Sequence, residues 1–384
     1  MTLKLSKRGK IPPFIVMDVM RNANKIESDG RNVIHLEVGQ PGTPAPKKVL
    51  DAVQDAMKEE KIGYTDALGL IALKERIVLH YEEFYGINVA QSQVVLTTGS
   101  SGGFILAFLS AFDPGDRVAV ASPGYPAYRN ILNSLGVEVV NIQTGFETNF
   151  QPDPELLDEA AFSGTLDGLI VASPSNPTGT MINSTAFKNL VDYCQEKDIR
   201  LISDEIYHGI TYDKPAETVL HYTNDAIVIN SFSKYFSMTG WRLGWMVVPE
   251  NLLRSIECLA QNLFISPPTL SQFAAIKVFD CQKELKNYVG RYADNRQILL
   301  TELPNVGFET FAPVDGAFYI YADIRNLTND SQEFCRRMLA EIGIAATPGI
   351  DFDPLRGNSY MRFSFAGDTN SINLAIERLR LWNK

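Results

Sequence analysis

The chain is poor in the residues from which metal sites and disulfide frameworks are built. Its 384 residues include four cysteines and four histidines. The cysteines, at positions 194, 258, 281 and 335, form no CxxC pair, which is typical of reduced thiols in the cytoplasm rather than of disulfides or zinc ligands. The histidines are scattered too, and His208 is predicted to be a solvated or structural residue. We therefore expect a cytoplasmic protein without a bound metal.

Long apolar runs and an excess of positive charge are also missing. No apolar run approaches the roughly 20 residues that span a bilayer, and the basic residues 1–10 are not followed by the apolar segment of a secretory signal. The net charge of −10 offers no basic surface for nucleic acid. We therefore expect neither a membrane nor a nucleic-acid partner. What remains is the composition of an ordinary globular protein, long enough for two packed domains.

Between about residues 94 and 249, short apolar runs alternate with stretches that favour helix. The runs are rich in Val, Ile and Leu with little polar alternation, as in strands buried on both faces of a parallel sheet. The intervening stretches, such as residues 184–197, are long enough to be crossover helices. The runs lie at residues 94–98, 117–121, 168–172, 199–203 and 226–230. This pattern predicts an α/β domain with a mostly parallel sheet covered by helices.

The last third of the chain has a different pattern. Residues 270–302 are rich in helix formers and are predicted to form one long helix or two helices separated by a break. Short strand-like pieces follow at residues 318–321, 344–346 and 360–365. These features predict a smaller α+β domain. We expect the large domain to span residues 40–280, and the small domain to be built from residues 1–39 and 281–384.

A lysine stands just after the apolar run 226–230. A lysine at the end of a buried strand is costly unless its charge is paired or lost, and a lowered pKa would make Lys234 a nucleophilic amine. Such an amine can form a Schiff base with an aldehyde. The neighbouring Ser231, Ser233 and Arg242 are suited to hold a phosphate. The common cofactor that carries both an aldehyde and a phosphate is pyridoxal 5′-phosphate (PLP).

Residues 231–242 resemble the Schiff-base segment Ser-x-Ser-Lys-x-x-x-x-x-Gly-x-Arg of the class I and II aminotransferases, PLP enzymes of fold type I. The resemblance extends from about Gly39 to Arg362 and includes seven motifs in the expected order. It implies an aspartate aminotransferase-like enzyme of amino-acid metabolism. Such an enzyme moves an amino group from an L-amino acid to a 2-oxo acid, with 2-oxoglutarate the acceptor implied by the family, in a ping-pong reaction.

Other candidate cofactor residues also lie just after predicted strands, where open α/β sheets bind ligands. Residues 99–103 open a helix whose free N–H groups suit a phosphate. The resemblance assigns the phosphate to this loop, through side chains or backbone. It implies that Asp204 faces the pyridine nitrogen and that Lys234, Asp204 and Tyr207 are catalytic. The implied contacts with phosphate, ring and phenolic oxygen are made by Ser100, Ser101, Gly102, Tyr125, Asn176 and Tyr207.

The resemblance also implies substrate and subunit contacts. Arg362 matches the residue that binds the substrate carboxylate, a task for which a planar guanidinium is suited. Gly39 matches a backbone contact to the same carboxylate, and Asn176 is a further substrate residue. Tyr64 matches the tyrosine that reaches the neighbouring subunit's phosphate, which implies a homodimer with shared active sites.

Two other functions and the substrate stay open at this point. A β- or γ-eliminating lyase can use the same fold, and so can a PLP-sensing transcription regulator without enzyme activity. Acidic, aromatic and aliphatic donors differ in only a few pocket residues. Residues 11–14 are apolar and can form a lid that favours a neutral or aromatic side chain. No cation is assigned to a distal carboxylate, so aspartate stays a possible donor.

Overall fold

The computed structural model of the protein describes residues 3–59 and 62–382, which form strands, α-helices and short 3-10 helices. The strands, in chain order, are β1 Ile34–His35, β2 Val94–Thr97, β3 Arg117–Ser122, β4 Glu138–Gln143, β5 Gly168–Ala172, β6 Arg200–Asp204, β7 Ile227–Ser231, β8 Gly244–Val247, β9 Thr310–Phe311, β10 Tyr319–Asp323, β11 Ile344–Ala345, β12 Thr347–Pro348 and β13 Tyr360–Ser364. The helices are α1 Ile15–Ser28, α2 Lys47–Glu59, α3 Ile71–Tyr85, α4 Gly99–Ala111, α5 Pro126–Leu135, α6 Pro154–Ala161, α7 Ser184–Glu196, α8 Glu250–Leu263, α9 Thr269–Ile276, α10 Gln282–Glu302, α11 Ser331–Ile342 and α12 Thr369–Trp382.

A seven-stranded sheet in the order β2-β8-β7-β6-β5-β3-β4 organises the larger part of the chain. Strands β7, β6, β5, β3 and β4 are parallel, and β8 lies antiparallel between β7 and β2. The sequence patterns did not single out β4 or β8. The link from β7 to β8 holds only a 3-10 turn, Thr239–Trp241, and no crossover helix, so the chain returns antiparallel. Because β8 is antiparallel to both of its neighbours, β2 points the same way as the parallel strands.

Both faces of this sheet are covered by helices. In β7, Val228 packs into one hydrophobic cluster, while Ile227 and Ile229 pack into the other. The first cluster includes Phe187 of α7 and the second includes Phe104 of α4. Alternate residues of a strand point to opposite faces, so a strand covered on both sides must be apolar throughout. The predicted fold class, a mostly parallel sheet covered by helices together with a smaller α+β part, is confirmed.

The C-terminal third contains a smaller antiparallel sheet in the order β12-β13-β10-β9. Residues 270–302 form two helices, α9 and α10, separated by the 3-10 helix Val278–Asp280, so the second of the two predicted arrangements is correct. Strand β1 pairs in parallel with β11, which supports assigning the N-terminal residues to the small domain. The domain limits stay a prediction, and residues 1, 2, 60, 61, 383 and 384 of those ranges lie outside the described residues.

Within the described ranges, the structure contains no helix that combines the length and the apolar character needed to cross a membrane.

Candidate active site

A pocket opens where the carboxyl ends of the parallel strands meet the small sheet. Many of the predicted site residues line it, and they come from widely separated parts of the chain: Gly39, Ser100, Ser101, Tyr125, Asn176, Asp204, Tyr207, Ser233, Lys234, Arg242 and Arg362. Strand direction explains this convergence, because β5, β6 and β7 all end at the same edge of the sheet. The remaining lining residues are Phe14, Val16, Met17, Val38, Tyr128, Ala172, Ile206, Thr239 and Tyr319.

Lys234 follows β7 and reaches into this pocket. Its Nζ donates a hydrogen bond to the carbonyl oxygen of Gly39 at 2.5 Å. Burial, together with the positive charges of Arg362 and Arg242, lowers the pKa of Lys234 to about 8, against the opposing effect of Asp204. With this pKa, roughly a tenth of the amine is neutral at pH 7, far more than for an exposed lysine. The side chain is therefore suited to act as a nucleophile or a base.

Asp204 is the last residue of β6, and only 3% of it is exposed. One carboxylate oxygen accepts a hydrogen bond from the backbone N–H of Ile206 at 3.1 Å, and the other accepts a short bond from the hydroxyl of Tyr128. Burial raises the pKa of Asp204 to about 6, and these two donors limit the rise. The result is a buried carboxylate that is mostly ionised at neutral pH.

The sequence reasoning missed Tyr128. A signal was present, because Tyr125 and Tyr128 are three residues apart at the start of α5 and therefore lie on the same helical face. Their rings pack edge to face with centroids 5.3 Å apart. The partner of the Tyr128 hydroxyl, Asp204, belongs to strand β6, far away in the sequence, and no local pattern indicates that contact.

Arg362 is buried, with 2% of its surface exposed, and β13 is flanked by β12 and β10 rather than being an edge strand. Its Nη1 donates to Asn176 Oδ1 at 2.7 Å, and its Nη2 donates to the Glu37 carbonyl oxygen. In the part of the chain that the structure describes, its Nε has no hydrogen-bond partner. Among residues 3–59 and 62–382, no carboxylate lies within 4.0 Å of the guanidinium. A buried cation without a counter-ion is costly, so this arrangement indicates an anionic ligand.

Two aromatic rings fix the plane of this guanidinium. Its central carbon lies 4.3 Å from the ring centroid of Tyr319 and 4.7 Å from that of Phe352. The hydroxyl of Tyr319 is 2.6 Å from the hydroxyl of Tyr207. A Cβ atom at Gly39 would lie 1.7 Å from the Tyr319 hydroxyl, so only glycine fits there. The sequence reasoning identified neither Tyr319 nor Phe352, because their function depends on contact with Arg362.

The far end of the pocket is suited to a phosphate. Helix α4 begins at Gly99 and has no side-chain cap, so the N–H groups of its first turn are available. Gly99 has φ +68°, and a Cβ atom there would lie 2.4 Å from Arg242 Nη2. Ser100, Ser101 and Ser233 line the same pocket. Hydroxyls, the N-terminus of a helix and a guanidinium therefore line the same pocket.

The structure places three predicted residues outside the pocket lining. Ser231 is buried behind Ser233, and its hydroxyl lies 3.0 Å from that of Ser233. Gly102 is buried within α4. Tyr64 is 82% exposed. The roles that the resemblance gives these residues stay predictions.

Two further predictions concern residues near the site. His208 is buried: one ring nitrogen bonds the Ser173 carbonyl oxygen at 2.9 Å, the other bonds the Tyr85 hydroxyl at 2.7 Å, and burial lowers its pKa to about 3. It is therefore a neutral structural residue rather than a solvated one. The expected lid at residues 11–14 is only partly correct. Residues 11–13 are exposed, and Phe14, Val16 and Met17 line the pocket because α1 begins at Ile15 and turns its first residues inward.

Comparison with known proteins agrees with this geometry. The family model for aminotransferase class I and II matches residues 31–379. The valine–pyruvate aminotransferase of Mycobacterium tuberculosis is 46% identical over 386 residues, which cover 100% of this chain and 99% of that protein. The crystal structure of an aminotransferase from Mycobacterium tuberculosis superposes with a TM-score of 0.97 at 46% identity, with 99% of each chain covered.

A more distant structure shares the same fold. A double mutant of the aspartate aminotransferase of Thermus thermophilus superposes with a TM-score of 0.91 at 28% identity, covering 99% of this chain and 100% of that chain. The resemblance inferred from the sequence is confirmed by these matches. The chain belongs to the class I and II aminotransferase family and is an aminotransferase.

Proposed function

We propose that this aminotransferase is PLP-dependent and transfers the amino group of a neutral aliphatic L-amino acid to a small 2-oxo acid. The observation that carries the proposal is the buried guanidinium of Arg362, which lacks a counter-ion among the described residues and lies in the same pocket as the amine of Lys234. An amino-acid substrate has a carboxylate for the first group and an amine that can exchange with the second.

The donor set of the pocket fits PLP. When bound, PLP supplies an aldehyde that exchanges amino groups and a protonated ring that takes up the electrons released at the substrate Cα. Asp204 is the ionised carboxylate suited to the ring nitrogen, and Tyr207 and Asn176 are the donors suited to the phenolic oxygen. Tyr125 offers an aromatic face. Lys234 is the residue that would bond the aldehyde. The groups that would bind the phosphate are Ser100, Ser101, Ser233, Arg242 and the N–H groups of α4, with Gly102 and Ser231 behind them.

Each of the main pocket residues then has its own role in the reaction. Arg362 binds the substrate carboxylate, and the rings of Tyr319 and Phe352 keep its guanidinium in one plane. The carbonyl oxygen of Gly39 holds the Lys234 amine in the pocket. Once that amine is free, it is suited to take the proton from the substrate Cα and to return it on the opposite half-reaction, because its pKa of about 8 is close to neutral pH.

The charges of the pocket favour a neutral side chain. The cationic residues of its lining are Lys234, Arg242 and Arg362, and each already has a role. The apolar residues of the lining include Phe14, Val16, Met17, Val38 and Ile206. A distal carboxylate would lose its hydration there without gaining a cation from the same chain. The similarity to a valine–pyruvate aminotransferase supports the same choice.

The same argument applies to the acceptor, because both substrates of a ping-pong enzyme use one pocket. 2-Oxoglutarate, which the family resemblance implies, has a distal carboxylate, whereas pyruvate has only a methyl group. We therefore expect pyruvate to be the better acceptor, and use of 2-oxoglutarate stays a prediction for the same assay.

We also infer that the enzyme is a homodimer with shared active sites. Tyr64, which the resemblance assigns to the phosphate of the neighbouring subunit, is exposed and lies outside the pocket of its own chain. A cytoplasmic location stays a prediction, and it is supported by the four free cysteines.

The test is the absorbance spectrum of the purified protein with PLP, followed by addition of single amino acids. We expect a visible or near-ultraviolet band that disappears with L-valine faster than with L-aspartate and returns with pyruvate. Lys234→Ala should lose this band and its turnover. Lys74→Ala is the matched control, because Lys74 is also buried with a lowered pKa but lies outside the pocket.

Each alternative has its own outcome. Full turnover by the Lys234→Ala protein would refute the assignment of the lysine. Continuous release of ammonia or pyruvate when no 2-oxo acid acceptor has been added would indicate the eliminating lyase. A band that persists with every amino acid would favour the regulator.

A further inference from the structure

A carboxylate from the far end of the chain caps helix α1. The residue at its N-cap position, Phe14, has no side chain that can accept a hydrogen bond. The N–H of Ile15 instead donates to one Asp351 carboxylate oxygen at 3.1 Å, and the N–H of Val16 donates to the other at 3.1 Å. The first N–H groups of a helix lack partners within the helix, so Asp351 replaces the missing N-cap side chain.

The carboxylate of Asp351 is buried without a salt bridge among the described residues. Only 2% of the residue is exposed. Within the described part of the chain, no Lys, Arg or His nitrogen lies within 4.0 Å of its carboxylate. Burial of a carboxylate is costly, and the two N–H groups of α1 are the donors that it binds directly. Because these two bonds offset part of the cost of burying the carboxylate, we infer that capping α1 is the structural role of Asp351.

The backbone around Asp351 is fixed by α5. Arg129 donates from Nη2 to the Asp351 carbonyl oxygen and from Nη1 to the Phe352 carbonyl oxygen at 3.3 Å. The ring centroid of Phe352 in turn lies 4.7 Å from the central carbon of the Arg362 guanidinium. The turn that caps α1 is therefore the same turn that supports the carboxylate-binding arginine.

The capped end of α1 closes the pocket. Phe14, Val16 and Met17, called the lid below, line the pocket. The Phe14 ring lies edge to face with Tyr125 at a centroid distance of 5.7 Å. The lid is apolar, so it can contact the side chain of a substrate whose carboxylate is bound by Arg362.

We propose that Asp351 is a positioning residue that holds the lid over the substrate side chain and so sets the preference for branched aliphatic amino acids. This inference rests on the proposed function and deepens it. Each methylene that the lid buries is worth roughly fourfold in kcat/KM, so the lid favours L-valine over L-alanine by about an order of magnitude.

The experiment uses the PLP-loaded enzyme with Asp351→Ala, and with Asp351→Asn if the alanine variant does not fold. Asp353→Asn is the matched control, because Asp353 is equally buried and, among the described residues, its carboxylate bonds Leu355 and Arg356 of its own turn. Two quantities are measured: the ratio of kcat/KM for L-valine to that for L-alanine, and the hydrogen exchange of the backbone amides of residues 14–28.

For Asp351→Ala we expect the valine-to-alanine ratio to fall by about tenfold and the amides of Ile15 and Val16 to exchange at least about tenfold faster. Phe14→Ala removes the ring of the lid but not the cap, and it should lower the same ratio. Asp353→Asn should change neither quantity. Unchanged exchange in Asp351→Ala overturns the capping role.

Faster exchange with an unchanged ratio overturns the role in specificity. If the unmodified enzyme transaminates neither amino acid, the proposed function fails, while the exchange rates still decide whether Asp351 holds the lid.

Discussion

Removing one hydroxyl should change how strongly the protein binds PLP, and the change should depend on pH. In Tyr128→Phe, Asp204 keeps its bond from the N–H of Ile206 but loses the bond from the tyrosine. That bond favours the ionised carboxylate, so its loss raises the pKa of Asp204 above its present value of about 6. Only the ionised form can pair with a protonated ring nitrogen.

The magnitude follows from the strength of the bond. A hydrogen bond to a charged group contributes about 1.5–3 kcal/mol, which corresponds to about 1–2 pKa units. The pKa of Asp204 should therefore rise from about 6 to about 7–8. At pH 7 the ionised fraction falls from about nine-tenths to between about a half and a tenth, so Kd for PLP rises about two- to tenfold. The Kd of the variant divided by the Kd of the unmodified protein becomes about 5–50 at pH 6 and approaches one at pH 9.

The assay is titration of the cofactor-free protein with PLP, followed by absorbance at pH 6, 7, 8 and 9. Dividing the Kd of the variant by that of the unmodified protein cancels the titration of Lys234, which both proteins share. Tyr81→Phe is the control, because Tyr81 is fully buried and its hydroxyl bonds Trp245 rather than Asp204. A ratio that stays constant from pH 6 to 9, or that rises with pH, would refute the reasoning.

Two further predictions concern stability and the phosphate end of the pocket. The bond to Glu37 and the charge of Glu27 raise the pKa of His35 to about 9, compared with about 6.5 in the unfolded chain. The contribution of His35 to the free energy of unfolding is therefore complete below pH 6.5 and is lost as the pH rises through 9. After allowance for partial exposure, His35→Gln should lower the free energy of unfolding by about 1–2 kcal/mol at pH 6 and by almost nothing above pH 9; a difference in urea unfolding that does not vary with pH would contradict this. Gly99→Ala should displace Arg242 and weaken PLP binding at least about tenfold, since its Cβ would lie 2.4 Å from the guanidinium at φ +68°. Gly240→Ala, with no atom within 4 Å of its Cβ, should bind PLP normally, and equal effects in the two variants would count against this explanation.

Local patterns were enough to predict the central strands and the residue that follows each of them. A strand covered by helices on both faces must be apolar at nearly every position, so residues 168–172 and 226–230 are recognisable without any knowledge of their neighbours. The position of Lys234 at the end of such a strand follows from the same pattern. Strand β4 was missed because the polar residues Glu138, Asn141 and Gln143 interrupt its apolar pattern. The place of β8 in the sheet depends on the short link from β7, after which the chain returns antiparallel.

The sequence by itself determined the class of the fold and the family, and it predicted the residues proposed to hold the cofactor, because these depend on short motifs and on periodicity. Only the tertiary structure decided which groups meet. Tyr128 reaches Asp204 across 76 residues, Arg362 reaches Asn176 across 186, and Asp351 caps Ile15 across 336. Such contacts fix pKa values, the plane of a guanidinium and the position of a lid. They arise when separate elements pack against each other, and no local stretch of sequence records them.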